Sequence, residues 1–430
     1  MYDLIIAGGG TAGCATAISA AKEGLKVLII EKNSFLGGSM TGSLVLPMMK
    51  NSLQNGTNLS GEFCEELMKE LRKTNDALTF SDGNPGWFNP EILKCVLDDL
   101  CEKYKIEILF DSIVTNATTS DNKVISCDVF YCGKITTFES KYFVDATGSG
   151  DLAAICGAKW QTGNENGENQ AMTLRFIATN VDIEKFAKFL RDIDKDEEIS
   201  PIAKINGETH LSTACTWDSN HWKLKPYFEK AVQERILEPE DCAYFQIFTI
   251  PNQPASVGFN APRIYGQTPL NSLNAADTSY ALRQGRKQIR RLIKFCQKYL
   301  TGFENAYISQ IAPTLGIRES RRIEGEYVLS EEDILSAKKF PNPAAKSNYP
   351  IDVHSHQKGK SILNKLKDNE YFEIPIECMK IKGFENLFCA GKIISATFLA
   401  QAALRIIPNC LSMGESLGKH IACCIKNYVE

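Results

Sequence analysis

A glycine triplet set between two apolar runs constrains this chain more than any other feature. In YDLIIAGGGTAGCATAISAAKEGLKVLIIEK, Leu4 to Ala7 form a short apolar run, the pattern of a parallel strand covered on both faces. Gly8, Gly10 and Gly13 follow at the G-x-G-x-x-G spacing. The first glycine permits a tight turn, the second lets backbone approach a pyrophosphate, and the third allows close helix packing. Residues 12–22 read as the following helix, whose N-terminus would aim free N–H groups and the positive end of its dipole at a diphosphate. Val27 to Ile30 form a second apolar strand ending at Glu31, eighteen residues after Gly13. A carboxylate there accepts hydrogen bonds from both ribose hydroxyls and repels the extra phosphate of NADP. A lone triplet marks any glycine-rich turn; with strand, helix, strand and acid in register, a dinucleotide site is expected.

At 430 residues the chain is long enough for a large core and about two or three domains. Its 48 basic and 52 acidic residues leave a net charge of −4 with no basic block, which disfavours nucleic-acid binding. The opening MYDLIIAGGG has no positive n-region and runs straight into the glycine loop, so it does not read as a signal peptide. No apolar stretch approaches the ~18 residues of a spanning helix, and no membrane insertion is expected. Fifteen scattered cysteines then point to reduced thiols and a cytoplasmic protein. Cys127 and Cys132 in CDVFYC share the C-x4-C spacing of flavin disulfide reductases. Their surroundings read as two strands of a hairpin, so structural cysteines are expected. No His/Cys set has metal-ligand spacing, and no metal is expected.

Along the chain, GEFCEELMKELRK has helical periodicity with Phe63, Leu67 and Leu71 on one face, and NPEILKCVLDDLCEKY is a second amphipathic helix with Pro90 in its first turn. A succession of short strands follows, with turns at Asp121-Asn122 and Cys132-Gly133, ending in YFVDATGSGD. Glycines at such a strand end are where ligands gather in an α/β sheet. From about Gly163 aromatics concentrate: Trp217, Trp222, Tyr227, Phe228, Tyr244, Phe245 and Phe248. The long basic helix ADTSYALRQGRKQIRRLIKFCQKYL closes this stretch and reads as a solvated face. The expected architecture is therefore α/β: a Rossmann-like dinucleotide domain, with a parallel sheet and an antiparallel insert, formed by residues 1–162 and 305–430. An α+β domain at 163–304 is inserted as a lid or substrate wall.

The C-terminal stretch separates nicotinamide from flavin. NLFCAG is an apolar strand ending at Gly391, and PNCLSMGESLGKHIACCI is a helix with Pro408 at its start and Gly414 and Gly418 on one face for close packing. A strand and a helix N-terminus added at the far end of the chain could hold a second ring system. That helix end stabilises the negative charge that develops on a reduced flavin.

These stretches, with GGSMTG, VDATGSGDLAAICGA, GIRESRRIEGEYVLSEED, YPIDVHSH and LRIIPNCLSMGESLG, resemble a bacterial FAD-dependent oxidoreductase family distantly related to the flavoprotein subunits of fumarate reductase and succinate dehydrogenase. The resemblance covers nearly the whole chain, least in the inserted domain. It implies non-covalent FAD held at Gly8, Gly10, Thr11, Ala12, Gly13, Glu31 and Lys32, at Gly37, Gly38 and Ser39, and at Val114. It further implies contacts at Ala146, Thr147 and Gly148, and at Gly391, Asn409 and Cys410. The His-Pro-Thr type signature of the succinate and fumarate enzymes is absent, so neither their substrate nor a histidine-linked flavin carries over. Lys392 stands where the family often shows arginine.

Two constellations are candidates for the chemistry. Arg318, Arg321 and Arg322 lie within five residues, and an arginine fork suits a carboxylate or phosphate; equally, beside Glu319, Glu324 and Glu326 they suit a structural ion-pair network. His354 and His356 lie two apart and would share a face of an extended segment, with His354 either a general acid/base or a loop histidine. The expected enzyme passes a hydride between flavin and a small polar or carboxylated organic substrate, with Arg318 or Arg321 as anchor and His354 moving the proton. Only one dinucleotide fingerprint is present, so electrons are expected to come from or go to a transient partner. A homo-oligomer is compatible with this reading. The alternatives are a flavin-binding electron-transfer subunit without its own substrate pocket and an NAD-dependent dehydrogenase; the aromatic-rich insert argues against the first and the C-terminal strand and helix against the second.

Overall fold

The computed structural model describes residues 1–79, 85–216, 222–354 and 361–427. Its first layer grows from the apolar runs. The N-terminal part contributes β1 (Tyr2–Ala7), helix α1 (Thr11–Lys22), β2 (Val27–Ile30), β3 (Glu107–Leu109), β4 (Ile113–Ser120), β5 (Lys123–Tyr131) and β6 (Lys134–Asp145). β3, β2, β1 and the second half of β6 pair in parallel, and the strand Leu387–Cys389 adds in parallel on β6. The first half of β6 pairs antiparallel with β5, and β5 with β4, completing a seven-stranded sheet. Leu4 to Ala7 and Val27 to Ile30 are fully covered, which is why these strands carry no polar alternation.

The meander turns where the turn residues predicted. Asp121 and Asn122 adopt φ of 48° and 62° between β4 and β5, and Cys132 and Gly133 adopt 46° and 79° between β5 and β6. Cys127 is therefore buried on a strand while Cys132 is exposed in a turn, and both are free thiols. The helices Glu62–Arg72 and Pro90–Lys103 also form as expected: the first buries Phe63, Leu67 and Leu71, and the second opens with Asn89 accepting from the Glu91 N–H at 3.1 Å.

The helix Ile407–Asn427 lies against α1 at backbone contact distance. A Cβ added at Gly414 would sit 2.3 Å from the Ala12 carbonyl oxygen, and one at Gly418 2.5 Å from that of Thr16. The two glycines expected to share a packing face thus bring the last helix against the first.

The second layer is a six-stranded antiparallel sheet in the order Ile202–Ile205, Glu208–Thr216, Tyr244–Thr249, Ser256–Phe259, Phe176–Thr179, Tyr307–Ile311. The 25-residue helix Ala275–Tyr299 buries Ala281, Gly285, Ile289 and Leu292 and exposes Arg283, Arg286, Lys287 and Arg290, so its basic residues form a solvated face. Most of the aromatics form core and not a wall facing substrate. Phe228 packs at a tilt with its centroid 4.2 Å from that of Phe295 and 5.2 Å from that of Trp222, Phe245 packs edge-on to Phe228, and Phe248 stacks on Trp87 at 5.7 Å. An apolar sheet face beneath a helix needs such volume to close it. Tyr244 departs from this pattern, and Trp217 lies outside the described residues. No helix among the described residues is long and apolar enough to cross a membrane.

Candidate active site

The sheet register builds the nucleotide cradle. Ala7 pairs with Ile30 and Asp145, and Asp145 pairs with Cys389. Gly8, Glu31, Ala146 and the Ala390–Gly391 turn therefore leave the sheet side by side at the carboxyl ends of its parallel strands, where open α/β sheets bind ligands. Gly8 adopts φ +101°, and a Cβ on it would lie 2.5 Å from the Ala146 carbonyl oxygen. A Cβ on Gly13 would lie 2.0 Å from the Gly8 carbonyl oxygen, so this glycine fits helix to strand. Gly10, at the N-cap of α1, has no atom nearer than 3.8 Å to such a Cβ, which leaves the helix N-terminus approachable. Gly37, at φ +95°, donates its N–H to the Gly9 carbonyl at 2.9 Å, and Gly38 packs against the Gly10 backbone. Thr11 and Ala12 are buried in the first turn of α1, whereas Lys32 and Ser39 are exposed at the rim.

Glu31 is buried, with one oxygen accepting the Gly9 N–H at 2.7 Å and the other the Asn33 N–H at 2.8 Å and the Asn33 side-chain amide at 2.5 Å. A carboxylate has about four acceptor positions, so capacity remains for one ribose hydroxyl. Val114 is half-buried on β4 opposite Val129.

Asp145 supports the next turn. Its buried carboxylate accepts the Thr147 N–H at 3.0 Å, the Thr147 hydroxyl at 2.7 Å and the Ala153 N–H at 2.8 Å, and burial pushes its pKa up to about 6. Ala146, Thr147 and Gly148 are held by these bonds. A Cβ on Gly148 would meet the Lys392 side chain at 3.5 Å. Lys392 donates to the Ile317 carbonyl, and desolvation lowers its pKa to about 8. Gly391 approaches Ala12 and Cys410, whose thiol burial pushes up to about 12. The Asn409 amide donates to the Ser347 hydroxyl at 3.0 Å and the Ala403 carbonyl at 3.3 Å, and accepts from Asn51 at 3.4 Å. Its side chain thus anchors the helix start to its neighbours. The cradle fits a dinucleotide, and the approachable N-terminus of α1 suits its diphosphate.

The three arginines of GIRESRRIEG go to three places. Arg322 forms a buried ion pair with Glu319, whose other partners are the Gly163 N–H at 2.7 Å and the Asn169 amide at 2.6 Å. Arg321 reaches the Ser149 carbonyl at 2.8 Å and Asp151 at 3.0 Å, stacked over Trp160. Arg318 turns inward, donating to the Ala171 carbonyl and the Thr173 hydroxyl, both at 2.7 Å.

Around Arg318 the fold assembles a group that spacing in the sequence did not reveal: Arg175, Arg263, Arg405, Asp352, Tyr244 and Tyr349. Arg263 lies over the Tyr244 ring at 4.1 Å and donates to His354 Nδ1 at 2.6 Å. Arginine has donors only, so Nδ1 is the acceptor; the remaining ring proton is on Nε2, 3.1 Å from the Asp352 carboxylate. Burial and the charges of Arg318 and Arg263 hold the His354 pKa well below 6.5, so the ring is neutral. The Asp352 carboxyl lies well below the usual carboxylate range: burial opposes ionisation, but His354, Arg405 and Arg318 outweigh it. Arg405 donates to the Asp352 carbonyl at 3.0 Å, and Tyr349 to its carboxylate at 3.2 Å. Arg175 reaches the Leu44 carbonyl, in the loop that follows Gly38. Gln401 ties this group to the cradle, donating to the carbonyls of both Arg318 and Lys392. His356 lies outside the described residues. Only proximity in space unites this group; its one sequence hint was Asp352, two residues before His354.

A dinucleotide cradle completed by a C-terminal strand and helix is the arrangement of a flavoprotein oxidoreductase. The sequence pattern of FAD dependent oxidoreductases matches residues 3–430, and the chain belongs to that family. It is an FAD-dependent enzyme. Among curated proteins it is similar to digeranylgeranylglycerophospholipid reductase 1 of Methanococcoides burtonii, at 26% identity over 155 residues, 34% of this chain and 38% of that one. The match thus spans well under half the length of that relative. Among solved structures, p-nitrophenol 4-monooxygenase PnpA from Pseudomonas putida superposes over 100% of this chain and 81% of its own at a TM-score of 0.52 and 10% identity. The flavin-dependent halogenase CmlS superposes over 100% and 59%, at 0.50 and 14%. These two likenesses establish the shared fold.

Proposed function

We propose that this enzyme passes a hydride between FAD and a small carboxylated organic substrate, and exchanges electrons with a transient partner. Bound FAD supplies the hydride exchange at N5 of its ring. The observation that carries the reading is the inward-facing Arg318, set among further arginines and tied through Gln401 to the Gly391–Lys392 turn of the cradle. A guanidinium fork there orients a carboxylate in two-point contact. His354 has both ring nitrogens engaged, one accepting from Arg263 and one donating to Asp352. An anion that draws Arg263 away frees Nδ1 to take a proton, while Asp352 stabilises the resulting imidazolium. Substrate binding and proton transfer are then linked through a single arginine. A single dinucleotide fingerprint supports the transient partner.

The test is anaerobic mixing of oxidised and of reduced holoenzyme with paired saturated and unsaturated carboxylic acids and their amides, following flavin absorbance. Acids are expected to change the flavin's redox state and amides to fail. Arg318→Lys keeps charge but loses the fork, and affinity falls. Arg318→Ala falls further, by about 1.5–3 kcal/mol, with bound FAD unchanged. Loss of flavin from either variant would place Arg318 in the cofactor cradle, and unaltered kinetics would remove it from the substrate site.

A further inference from the structure

The charge balance around Arg318 is unusual for an interior. Arg175, Arg263 and Arg318 are buried, and the Arg405 side chain is 15% exposed. Their charges act on one another: Arg318 is opposed by Arg263, Arg405 and Arg175, and Arg175 by Arg405 and Arg263. The carboxylate that bonds into the group is Asp352, and His354 is neutral. Four guanidinium groups thus face one anion among the described residues. Desolvating a charge is expensive unless it is paired, and fixed unpaired donors are a cost that a bound ligand can relieve.

The orphaned donors say where that ligand would bind. Arg263 is 1% exposed, yet its Nε and Nη1 have no hydrogen-bond partner among the described residues, and neither has Arg405 Nε. Without substrate Arg263 rests on His354 Nδ1 and the Tyr244 ring, and Arg405 rests on the Asp352 carbonyl, with its carboxylate 3.7 Å away. Arg263 therefore offers two free N–H groups from the short strand Arg263–Ile264, and Arg405 offers one from just before the last helix. One carboxylate neutralises one of them and leaves the rest uncompensated. We propose that the substrate carries two oxyanion groups, at least one a carboxylate, gripped by Arg263 and Arg405 with Arg318 beside them. This rests on the functional reading above and narrows its substrate class. Whether the second group is a carboxylate or a phosphoryl group is the same chemistry to a guanidinium fork.

The experiment is calorimetric titration of oxidised holoenzyme at constant ionic strength with butyramide, butyrate, glutarate, tricarballylate and 3-phosphonopropionate, each repeated while recording the flavin spectrum. Glutarate is expected to bind at least tenfold more tightly than butyrate, with butyramide weaker still. Tighter binding of 3-phosphonopropionate than of glutarate also supports the proposal and assigns the second group as phosphoryl. Arg263→Met and Arg405→Gln should each bring glutarate down to the butyrate level and leave FAD content unchanged. Equal binding of butyrate and glutarate by the wild-type protein overturns the proposal, and that comparison needs no variant to fold. Glutarate affinity undiminished in both variants overturns the assignment of the grip. Binding is read without turnover, so the two readings fail separately. Tight dianion binding with no redox change in any acid leaves this inference standing and sinks hydride transfer, whereas turnover of acids without preference for dianions does the reverse.

Discussion

At the scale of the residue, Arg263 fixes the protonation of His354, because a group with donors only forces Nδ1 to accept. Both His354 and Asp352 have folded pKa values below their ordinary ones. An unfolded chain takes up a proton at His354 below pH ~6.5 and at Asp352 below ~3.9, while the folded chain resists both. The unfolded state then binds more protons, so stability rises with pH and is lost on acidification. The His354 contribution is fully present above pH ~6.5 and falls by up to about 1.4 kcal/mol per pH unit below it. Urea unfolding of the wild type between pH 7 and 5 should show this slope, and His354→Gln should flatten it. An unchanged slope in the variant would mean that His354 takes up its proton alike in the folded and unfolded chains. Glu31 and His354 were legible in the sequence for different reasons. Glu31 stands at a strand end fixed by local periodicity, and His354 stood out as a rare residue type. The partners that decide the chemistry of His354 were not legible: Arg263 is 91 residues away and Arg405 51.

At the scale of the element, the joint between α1 and the last helix decides whether the cradle closes. Gly418 meets the Thr16 carbonyl oxygen, and a Cβ there would also lie 2.8 Å from the Ala20 nitrogen. Neither contact is with a flexible side-chain end, so an added methyl must push the helices apart. Overpacking of this kind costs about 1–3 kcal/mol. Gly418→Ala should lower the unfolding free energy by that much. FAD affinity should fall with it, because the same displacement moves Gly391 away from Ala12. A variant with wild-type stability and wild-type flavin retention would show that the helices do not bear on each other at this point. Both glycines and their shared face were readable from helical spacing, and so were the strands that alternate or run apolar. The function of the aromatics was not readable, since composition alone does not distinguish a core from a wall; Phe228, Phe245 and Phe248 went to the core and left Tyr244 beside Arg263.

At the scale of the whole molecule, distant segments of the chain converge on one cradle. Residues near 8, 31, 38, 147 and 391 line it, so FAD bound there would clamp together parts of the chain that unfold far apart. A ligand that binds only the folded state stabilises it by RT ln(1 + [L]/Kd), about 2.7 kcal/mol at a hundredfold excess over Kd. Purified protein should be yellow, should release intact FAD on acid or heat treatment, and should lose a stability of this order when the flavin is removed. Urea midpoints of holo- and apoprotein, with FAD added back in steps, measure it. Glu31→Arg separates the cradle from any other flavin contact, because it replaces the ribose acceptor with a group that only donates and leaves the Gly9 N–H without its carboxylate. That variant is expected to purify colourless and to show no rise in its urea midpoint on adding FAD. If it retains a full complement of flavin, the ribose is held elsewhere than at the end of β2, and the convergence of these segments is due to the sheet register alone.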